Sequence, residues 1–227
     1  MRDYDGKTAA ERIAERRERL IDAGVELFGD RGYAATSIRA VLQQSGLRDR
    51  YFGESFADLD SLLAAVYSRL IDEEISGCAA AIDKTKGGSE GARAMIDTIT
   101  RAYEKNPGKA RIKSREVLSG GPAAREQRRA GLRRLAQLVA DLLPPSTAMN
   151  RSDVLLLAFG IVAAADELLM TWMDGAEKLT RARVVRVVML MFDATAHQIS
   201  STESRARASV GRTGDRRAKR PGRATLK

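Results

Sequence analysis

The segment RDRY, residues 48–51, carries the side chains best suited to chemistry in this chain. A guanidinium group can donate two parallel hydrogen bonds to guanine, and a phenol can donate to a phosphate or contact a thymine methyl group. Upstream, Thr36 and Ser37 open a predicted helix, where hydroxyl groups and free backbone amides can hold a phosphate. These residue types predict a surface that contacts nucleic acid.

Two predicted helices precede this segment and set its position. Apolar side chains recur at helical spacing within residues 12–33, so this stretch is predicted to be an amphipathic helix with one core-facing stripe. Thr36 or Ser37 then caps a second helix, because a hydroxyl group can accept hydrogen bonds from the first free backbone amides. The buried face of the second helix is predicted to consist of Ile38, Val41 and Leu42.

A tight turn at Ser45–Gly46 separates the second helix from a third, predicted at Leu47–Phe52. In a helix-turn-helix, the later helix enters the major groove while the earlier one crosses the phosphate backbone. Leu47 and Phe52 suit an inward face, which leaves residues 48–51 facing DNA. The predicted DNA-contacting residues are Thr36, Ser37, Arg39, Gly46, Arg48, Asp49, Arg50 and Tyr51.

Residues 12–66 resemble the TetR family of bacterial transcriptional regulators. Few aromatic residues, only five prolines and abundant Ala, Leu, Arg and Val favour an all-α chain, and the pattern predicts about nine helices, in agreement with the resemblance. The resemblance implies an N-terminal three-helix helix-turn-helix DNA-binding domain and a C-terminal helical domain for ligand binding and dimerisation. The residues at family-like spacing are Ala23, Leu27, Phe28, Gly32, Tyr33, Thr36, Ser37, Gly46, Phe56, Leu62 and Leu63.

Four positions depart from the family pattern on the DNA-contacting side. Gly53 stands where family members usually place a phosphate-contacting Tyr, and Leu59 stands where they often have Lys. Arg50 replaces a common Gly, and Tyr51 replaces a small residue. Two of the usual contacts to the DNA backbone are therefore expected to be absent, and two bulky side chains are added to the DNA-contacting side.

The charge balance of the N-terminal segment is unusual for a DNA-binding surface. Residues 1–60 contain ten basic and twelve acidic side chains, a net charge of −2. A surface that binds phosphates normally has an excess of basic groups. Weaker DNA binding than in a typical family member is therefore expected from the folded body. The residues expected to supply local attraction are Arg48, Arg50 and, on the first helix, Arg12, Arg16 and Arg17.

Charge and composition predict four segments: a flexible arm (1–11), the helix-turn-helix domain (12–57), a helical regulatory and dimerisation domain (58–204) and a basic disordered tail (205–227). The tail contains nine basic residues and one acidic residue, so the first 204 residues account for only +1 of the net charge of +9. Such a tail either follows DNA phosphates or only improves solubility, and both interpretations stay open.

The last two predicted helices, near 152–173 and 180–200, are apolar nearly all round. Helices of this kind must be buried on several faces, which predicts a homodimer formed through them. Asp166 and Glu167 interrupt the apolar stretch and would be costly in lipid, so no membrane insertion is expected. The predicted lining of an apolar ligand pocket is Met95, Ile99, Tyr103, Phe159, Asp166, Met170 and Trp172.

No set of residues predicts catalysis or metal binding. His197 is the single histidine, and Cys78 is the single cysteine, which excludes an intramolecular disulfide and fits a cytoplasmic protein. No enzyme activity, cofactor or metal is expected. The leading hypothesis is a ligand-responsive transcriptional regulator, a repressor that binds a palindromic operator as a homodimer and responds to a small hydrophobic effector. The alternatives are a non-specific DNA-organising protein that uses the basic tail, or a ligand-binding adaptor with a degenerate DNA reader.

Overall fold

The computed structural model describes residues 8–175 and 179–218, with side chains described through Arg205. Within these ranges the chain forms nine α-helices and one 3₁₀ turn and contains no strand, which confirms the predicted all-α class. The helices are α1 (Ala9–Asp30), α2 (Ile38–Ser45), α3 (Asp49–Ser55), α4 (Leu59–Ile82), α5 (Gly88–Lys105), α6 (Pro107–Ser114), α7 (Pro122–Leu142), α8 (Arg151–Met173) and α9 (Arg181–Ala218), with the 3₁₀ turn at Glu116–Ser119 after α6.

Helix α1 begins earlier than the predicted start at Arg12. Thr8 is the N-cap: its hydroxyl accepts a hydrogen bond from the Glu11 amide at 3.2 Å, and the Glu11 carboxylate accepts from the Thr8 amide at 2.6 Å. This reciprocal pair satisfies two amides that a helix start otherwise leaves free. The predicted flexible arm therefore ends before residue 8, and residues 1–7 lie outside the described residues.

Helices α1, α2 and α3 pack around a small apolar core, in which Leu20, Phe28, Val41 and Phe52 are all buried. Ile38 does not belong to this core, in contrast to the prediction, because its side chain is 37 % exposed. An eight-residue helix can turn only one narrow face inward, and in α2 that face consists of Val41, Leu42 and Ser45.

The remaining helices, α4 to α9, form the domain predicted to be regulatory. Helix α4 packs against α5 and α7, α7 packs against α8, and α9 packs against both α5 and α8. Helix α6 contacts α1 on one side and α8 on the other, so it joins the two domains. Cys78 of α4 is fully buried, and burial raises the pKa of its thiol to about 12.

Helix α8 is long and apolar enough to cross a membrane by length and composition, and it is the single such helix within the described residues. In the fold it lies between α7 and α9, where Ala158 and Leu169 are buried. Packing inside the helical domain accounts for part of its apolar composition, since 33 % of its apolar stretch is buried.

Helix α9 continues through Ala218, so the prediction of a disordered tail from residue 205 is wrong for residues 205–218. No proline occurs within residues 181–220, so none interrupts α9. Gly211 and Gly214 each cost a helix only about 1 kcal/mol relative to alanine. Residues 219–227, the rest of the predicted tail, lie outside the described residues.

Candidate DNA-reading surface and ligand cavity

The turn between α2 and α3 depends on Gly46, which adopts a left-handed conformation with φ of 64°. Its amide donates to the Gln43 carbonyl at 3.3 Å, and the Leu47 amide donates to the Leu42 carbonyl at 3.1 Å. These bonds close the C-terminal end of α2, and glycine is the residue that takes this conformation at least cost. The turn therefore fixes where α3 begins.

Two arginines of α1 hold the reading helices in place. Arg19 donates to the Ser45 carbonyl at 2.5 Å, and Arg17 donates to the Ser55 carbonyl at 2.8 Å. The Arg17 guanidinium also lies 4.3 Å from the ring centroid of Phe56. A cation at the C-terminal end of a helix is favourable because the last carbonyl groups carry partial negative charge. Arg17 thus acts in the scaffold, and not at the phosphate contact expected from the sequence.

Six of the eight predicted DNA-contacting residues are exposed. The reading helix α3 begins after Arg48, two residues later than predicted, and buries Phe52. Thr36 differs from the prediction: its side chain is buried, and its hydroxyl donates to the Gly32 carbonyl at 2.8 Å. Ser37, rather than Thr36, is the N-cap of α2. The exposed members are Ser37, Arg39, Gly46, Arg48, Asp49 and Arg50.

Tyr51 lies between two guanidinium groups. The Arg16 and Arg50 guanidinium carbons are 4.5 Å and 4.6 Å from its ring centroid, and Arg50 also donates to the phenol oxygen at 2.6 Å. This hydrogen bond is the main cause of a lowered pKa for Tyr51. Arg16 is held in turn by Glu54 at 3.1 Å. The arrangement pre-orients Arg50, and the phenol can still donate its own hydrogen to a phosphate.

Asp22, Asp58 and Asp60 are three of the twelve acidic residues in segment 1–60, and they form contacts with α4 or α7. Asp58 caps α4 by accepting from the Ser61 amide at 2.7 Å, and Asp60 accepts from three backbone amides at the start of α7. Asp22 pairs with Arg69 of α4 at 2.6 Å. These three acids lie outside α3, whereas Asp49 and Glu54 belong to α3 itself.

Helices α4, α5, α7, α8 and α9 enclose an apolar cavity of about 60 Å³, enough for a few water molecules. Four of the predicted pocket residues line it: Met95, Ile99, Tyr103 and Asp166. Glu74 of α4 also lines it, and no feature of the sequence singles Glu74 out from neighbouring acids. The other lining residues are Ala92, Ile96, Leu132, Leu135, Val139, Ile161, Val162, Ala165, Leu169, Val188, Met189 and Phe192.

Three predicted pocket residues lie elsewhere. Phe159 and Trp172 are partly buried against the core but do not line the cavity, and Met170 lines a separate cleft between α6 and α8. The α8 residues that line the cavity lie between Ile161 and Leu169, whereas Phe159 precedes this stretch and Met170 and Trp172 follow it. Apolar character alone did not set the limits of the cavity along the helix.

Two ion pairs support the polar part of the cavity wall. Glu74 pairs with Lys113 of α6, and both side chains are more than nine-tenths buried, at 7 % and 8 % exposed. Asp166 pairs with Arg128 of α7 at 2.5 Å. Burial raises the pKa of the Asp166 carboxyl, and the neighbouring Arg128 partly opposes this shift. Burial also raises the pKa of the Tyr103 phenol, so this group is neutral.

Helix α6 and the 3₁₀ turn connect the cavity to the DNA-binding domain. The Glu116 carboxylate accepts from the Tyr33 amide at 2.6 Å and lies 3.2 Å from Arg111 Nε. Arg111 also donates to the Phe28 carbonyl at 3.3 Å. Because Lys113 of α6 pairs with Glu74 of the cavity wall, a chain of direct contacts runs from the cavity to the end of α1.

Comparison with known proteins identifies related chains. Residues 20–66 match the family described as bacterial regulatory proteins, tetR family. Over 171 residues the chain is 22 % identical to the HTH-type transcriptional activator FasR of Mycolicibacterium smegmatis, a match that covers 75 % of this chain and 78 % of FasR.

Solved structures share the fold over most of the chain. The transcriptional regulator FadR from Bacillus subtilis, in complex with stearoyl-CoA, has a TM-score of 0.64 at 16 % identity and covers 77 % of this chain and 97 % of its own. The multidrug binding protein EbrR, complexed with imidazole, has a TM-score of 0.61 at 18 % identity and covers 78 % of this chain and 94 % of its own.

Proposed function

We propose that this chain, which belongs to the TetR family of bacterial regulatory proteins, is a cytoplasmic, ligand-responsive regulator that binds its operator as a homodimer. The observation that carries the proposal is the exposed surface of α3. Its arginines stand at the start of a short helix that Gly46 and the α1 arginines hold in place. The geometry suits insertion into a major groove.

Arg48 and Arg50 read base edges in this proposal, and Tyr51 contacts the phosphate backbone. The exposed Ser37 and the amides at the start of α2 hold a second phosphate, and Arg39 supplies charge beside them. These contacts replace those that Gly53 and Leu59 cannot make, since Gly53 has no side chain and Leu59 has no polar group.

Fluorescence anisotropy with fragments of genomic DNA tests this assignment. The double variant Arg48→Ala/Arg50→Ala is expected to lose sequence-specific binding by roughly a hundredfold, because each good contact to a base is worth about 1–3 kcal/mol. The charge-matched control is Lys84→Ala/Lys86→Ala, which removes two exposed cations from the loop between α4 and α5.

Binding that survives intact when Arg48, Arg50 and Tyr51 are all replaced by Ala would contradict the assignment. Affinity that is lost instead on removal of residues 205–227 would favour a non-specific DNA-organising protein. In that case the loss should be equal for all sequences and steeply dependent on salt.

A second copy of this chain is the proposed occupant of the outer face of α8 and α9. Leu156 is 70 % exposed and Leu190 is 63 % exposed, and Leu157 lies beside them. Gly160 of α8 is also open, since no atom lies within 4 Å of the point that a Cβ would occupy, so another helix can approach closely. A double Leu156→Asp/Leu190→Asp variant should be monomeric in light scattering, and an unchanged dimer would refute this interface.

The effector is proposed to bind in the cavity and act through α6. A ligand that fills the cavity must move side chains of its wall, and Glu74 is tied there to Lys113 of α6. Movement of α6 then shifts Glu116 and its contact with Tyr33 of the DNA-binding domain. The ligand changes DNA affinity only in so far as it binds one arrangement of α6 more tightly than the other. FadR with stearoyl-CoA and multidrug-binding EbrR support an apolar effector.

The direction of regulation follows from where the operator lies. A dimer bound across a promoter represses, and FasR, which is a transcriptional activator, is a relative with the opposite effect. Repression by the chain without effector is the proposed mode. A transcription assay with purified polymerase and the bound promoter would measure it, and a rise in transcript on addition of the protein would overturn repression without affecting the DNA contacts.

A further inference from the structure

The cavity wall contains a polar group that the surrounding fold leaves unsatisfied. Tyr103 is 3 % exposed, and its hydroxyl forms no hydrogen bond with any residue in the described ranges. Its ring contacts Lys113, whose Nζ is 4.5 Å from the ring centroid, but a contact with the ring face does not satisfy the hydroxyl. Because Tyr103 lines the cavity, its hydroxyl can take part in a hydrogen bond with a ligand atom.

The charged side chains of the wall have one sign. Glu74 and Asp166 are the ionisable acids that line the cavity, and no lining residue in the described part of the chain is basic. Their partners, Lys113 and Arg128, lie outside the wall. An anionic ligand group would meet two carboxylates, whereas an ammonium group would meet two carboxylate acceptors, which it would share with Lys113 and Arg128.

We propose that the cavity binds an apolar cation, a hydrocarbon body that carries a protonated amine, with the amine held by Tyr103, Glu74 and Asp166. An ammonium group has three hydrogens to donate, which matches one phenol oxygen and two carboxylates. The hydrocarbon body would contact the apolar majority of the wall, including Ile99 and Phe192. This inference rests on the proposed function, because it names the chemical class of the effector.

Such a ligand would also compete for a group that links the two domains. Its ammonium group would share the Glu74 carboxylate with Lys113 and so weaken the contact between the cavity and α6. An uncharged molecule of the same shape would fill the cavity without this competition. Charge on the ligand is therefore expected to affect both affinity and the release of DNA.

Calorimetry of the full chain with octylamine, 1-octanol and octanoate tests the proposal at equal chain length. At about pH 7 octylamine is protonated, since an alkyl ammonium resembles lysine, whose pKa is about 10.4. Octylamine is expected to bind roughly tenfold or more tightly than 1-octanol, and octanoate more weakly still. Equal or tighter binding of 1-octanol or octanoate would overturn the proposal.

Two tyrosine variants test the assigned hydroxyl. Tyr103→Phe should lower the affinity for octylamine by about tenfold, the effect expected for a hydrogen bond to a charged group. Tyr67→Phe is the matched control, because Tyr67 is 2 % exposed and its hydroxyl also lacks a hydrogen bond to the described residues, but it does not line the cavity. Equal affinities in both variants would refute the role of Tyr103.

Asp166→Asn tests the charge and keeps the shape of the side chain. It should lower the affinity for octylamine by roughly tenfold and leave that for 1-octanol unchanged, and an equal loss for both ligands would refute a charge contact. Operator binding, measured in parallel, separates the two proposals. If the wild-type chain binds DNA but prefers 1-octanol, the effector class is wrong and the proposed function stands. If octylamine binds but no DNA fragment does, the proposed function fails instead.

Discussion

The DNA-reading surface and the ligand cavity both combine charged side chains with a tyrosine, but they differ in exposure to solvent. On α3 the arginines and Tyr51 are in contact with solvent and lie close to one another. In the cavity wall the carboxylates and Tyr103 are almost removed from water. An exposed charge loses little when its partner is removed, whereas a buried charge without a partner costs several kcal/mol. The first region can therefore change with little effect on stability, and the second cannot.

The two regions also obtain their binding specificity in different ways. The reading surface depends on orientation, which Gly46 and the α1 arginines Arg17 and Arg19 provide through backbone contacts. The cavity depends on which charges are buried and how they are paired. Substitutions on the DNA-reading surface should therefore change DNA binding without changing stability. Substitutions in the cavity wall should change ligand binding and stability together.

The sharpest test compares two lysines on α6 that both pair with glutamates of α4. Lys113→Met leaves Glu74 buried without its partner and should cost about 3–5 kcal/mol of unfolding free energy. Lys109→Met is the control: it breaks a pair with Glu73 that is 36 % and 51 % exposed, and should cost less than about 1 kcal/mol. Urea denaturation measures both, and equal costs would remove the distinction between buried and exposed charges.

Asp60 tests a contact within the regulatory domain, between the start of α4 and the start of α7. Asp60→Ala removes the acceptor for the amides of Gly121, Ala123 and Ala124 at the start of α7 and should cost about 1–2 kcal/mol of unfolding free energy. Asp60→Asn keeps one side-chain oxygen and should restore part of the loss. Thermal denaturation would show this order, and an unchanged melting temperature for Asp60→Ala would mean that solvent satisfies these amides equally well.

Tyr51→Phe should separate function from stability in the DNA-binding domain. The change removes the oxygen that accepts from Arg50 and should weaken operator binding about fivefold, because Arg50 loses its fixed orientation. The melting temperature should stay the same, since the pair is in contact with solvent. A drop in melting temperature as large as that of Lys113→Met would contradict the contrast between the two regions.

The smallest expected effect is a change in the pH dependence of stability. The pKa of the Asp166 carboxyl is raised in the folded chain, chiefly by burial, so the folded state keeps this proton at a pH where the unfolded state has released it. Stability due to this group is therefore present below the usual value of 3.8 and is lost as pH rises through the higher folded-state pKa. Asp166→Asn should remove this loss of stability. The measurement is the free energy of unfolding of the wild-type chain and of the variant, compared from about pH 3 to about pH 6.

The helix-turn-helix could be predicted because its signals are local. Gly46 between two short amphipathic segments predicts a left-handed turn, and the polar run at residues 48–51 predicts an exposed face. The role of Thr36 was missed although it is also local, because neighbouring groups compete for its hydroxyl. The Thr36 hydroxyl had two possible partners, a phosphate or the Gly32 carbonyl, and only the folded backbone shows that the carbonyl lies within reach at 2.8 Å.

The sequence alone determined the all-α class, the order of the helices and the exposed arginines of α3, because these follow from spacing along one chain. The tertiary structure decided which apolar residues line the cavity, that Glu74 belongs to its wall, and that Arg17 serves as scaffold. Glu74 and Lys113 are far apart in the sequence and meet only when α6 packs on α4. Pairing between distant helices depends on the relative rotation of each helix, and no spacing within a single helix specifies that rotation.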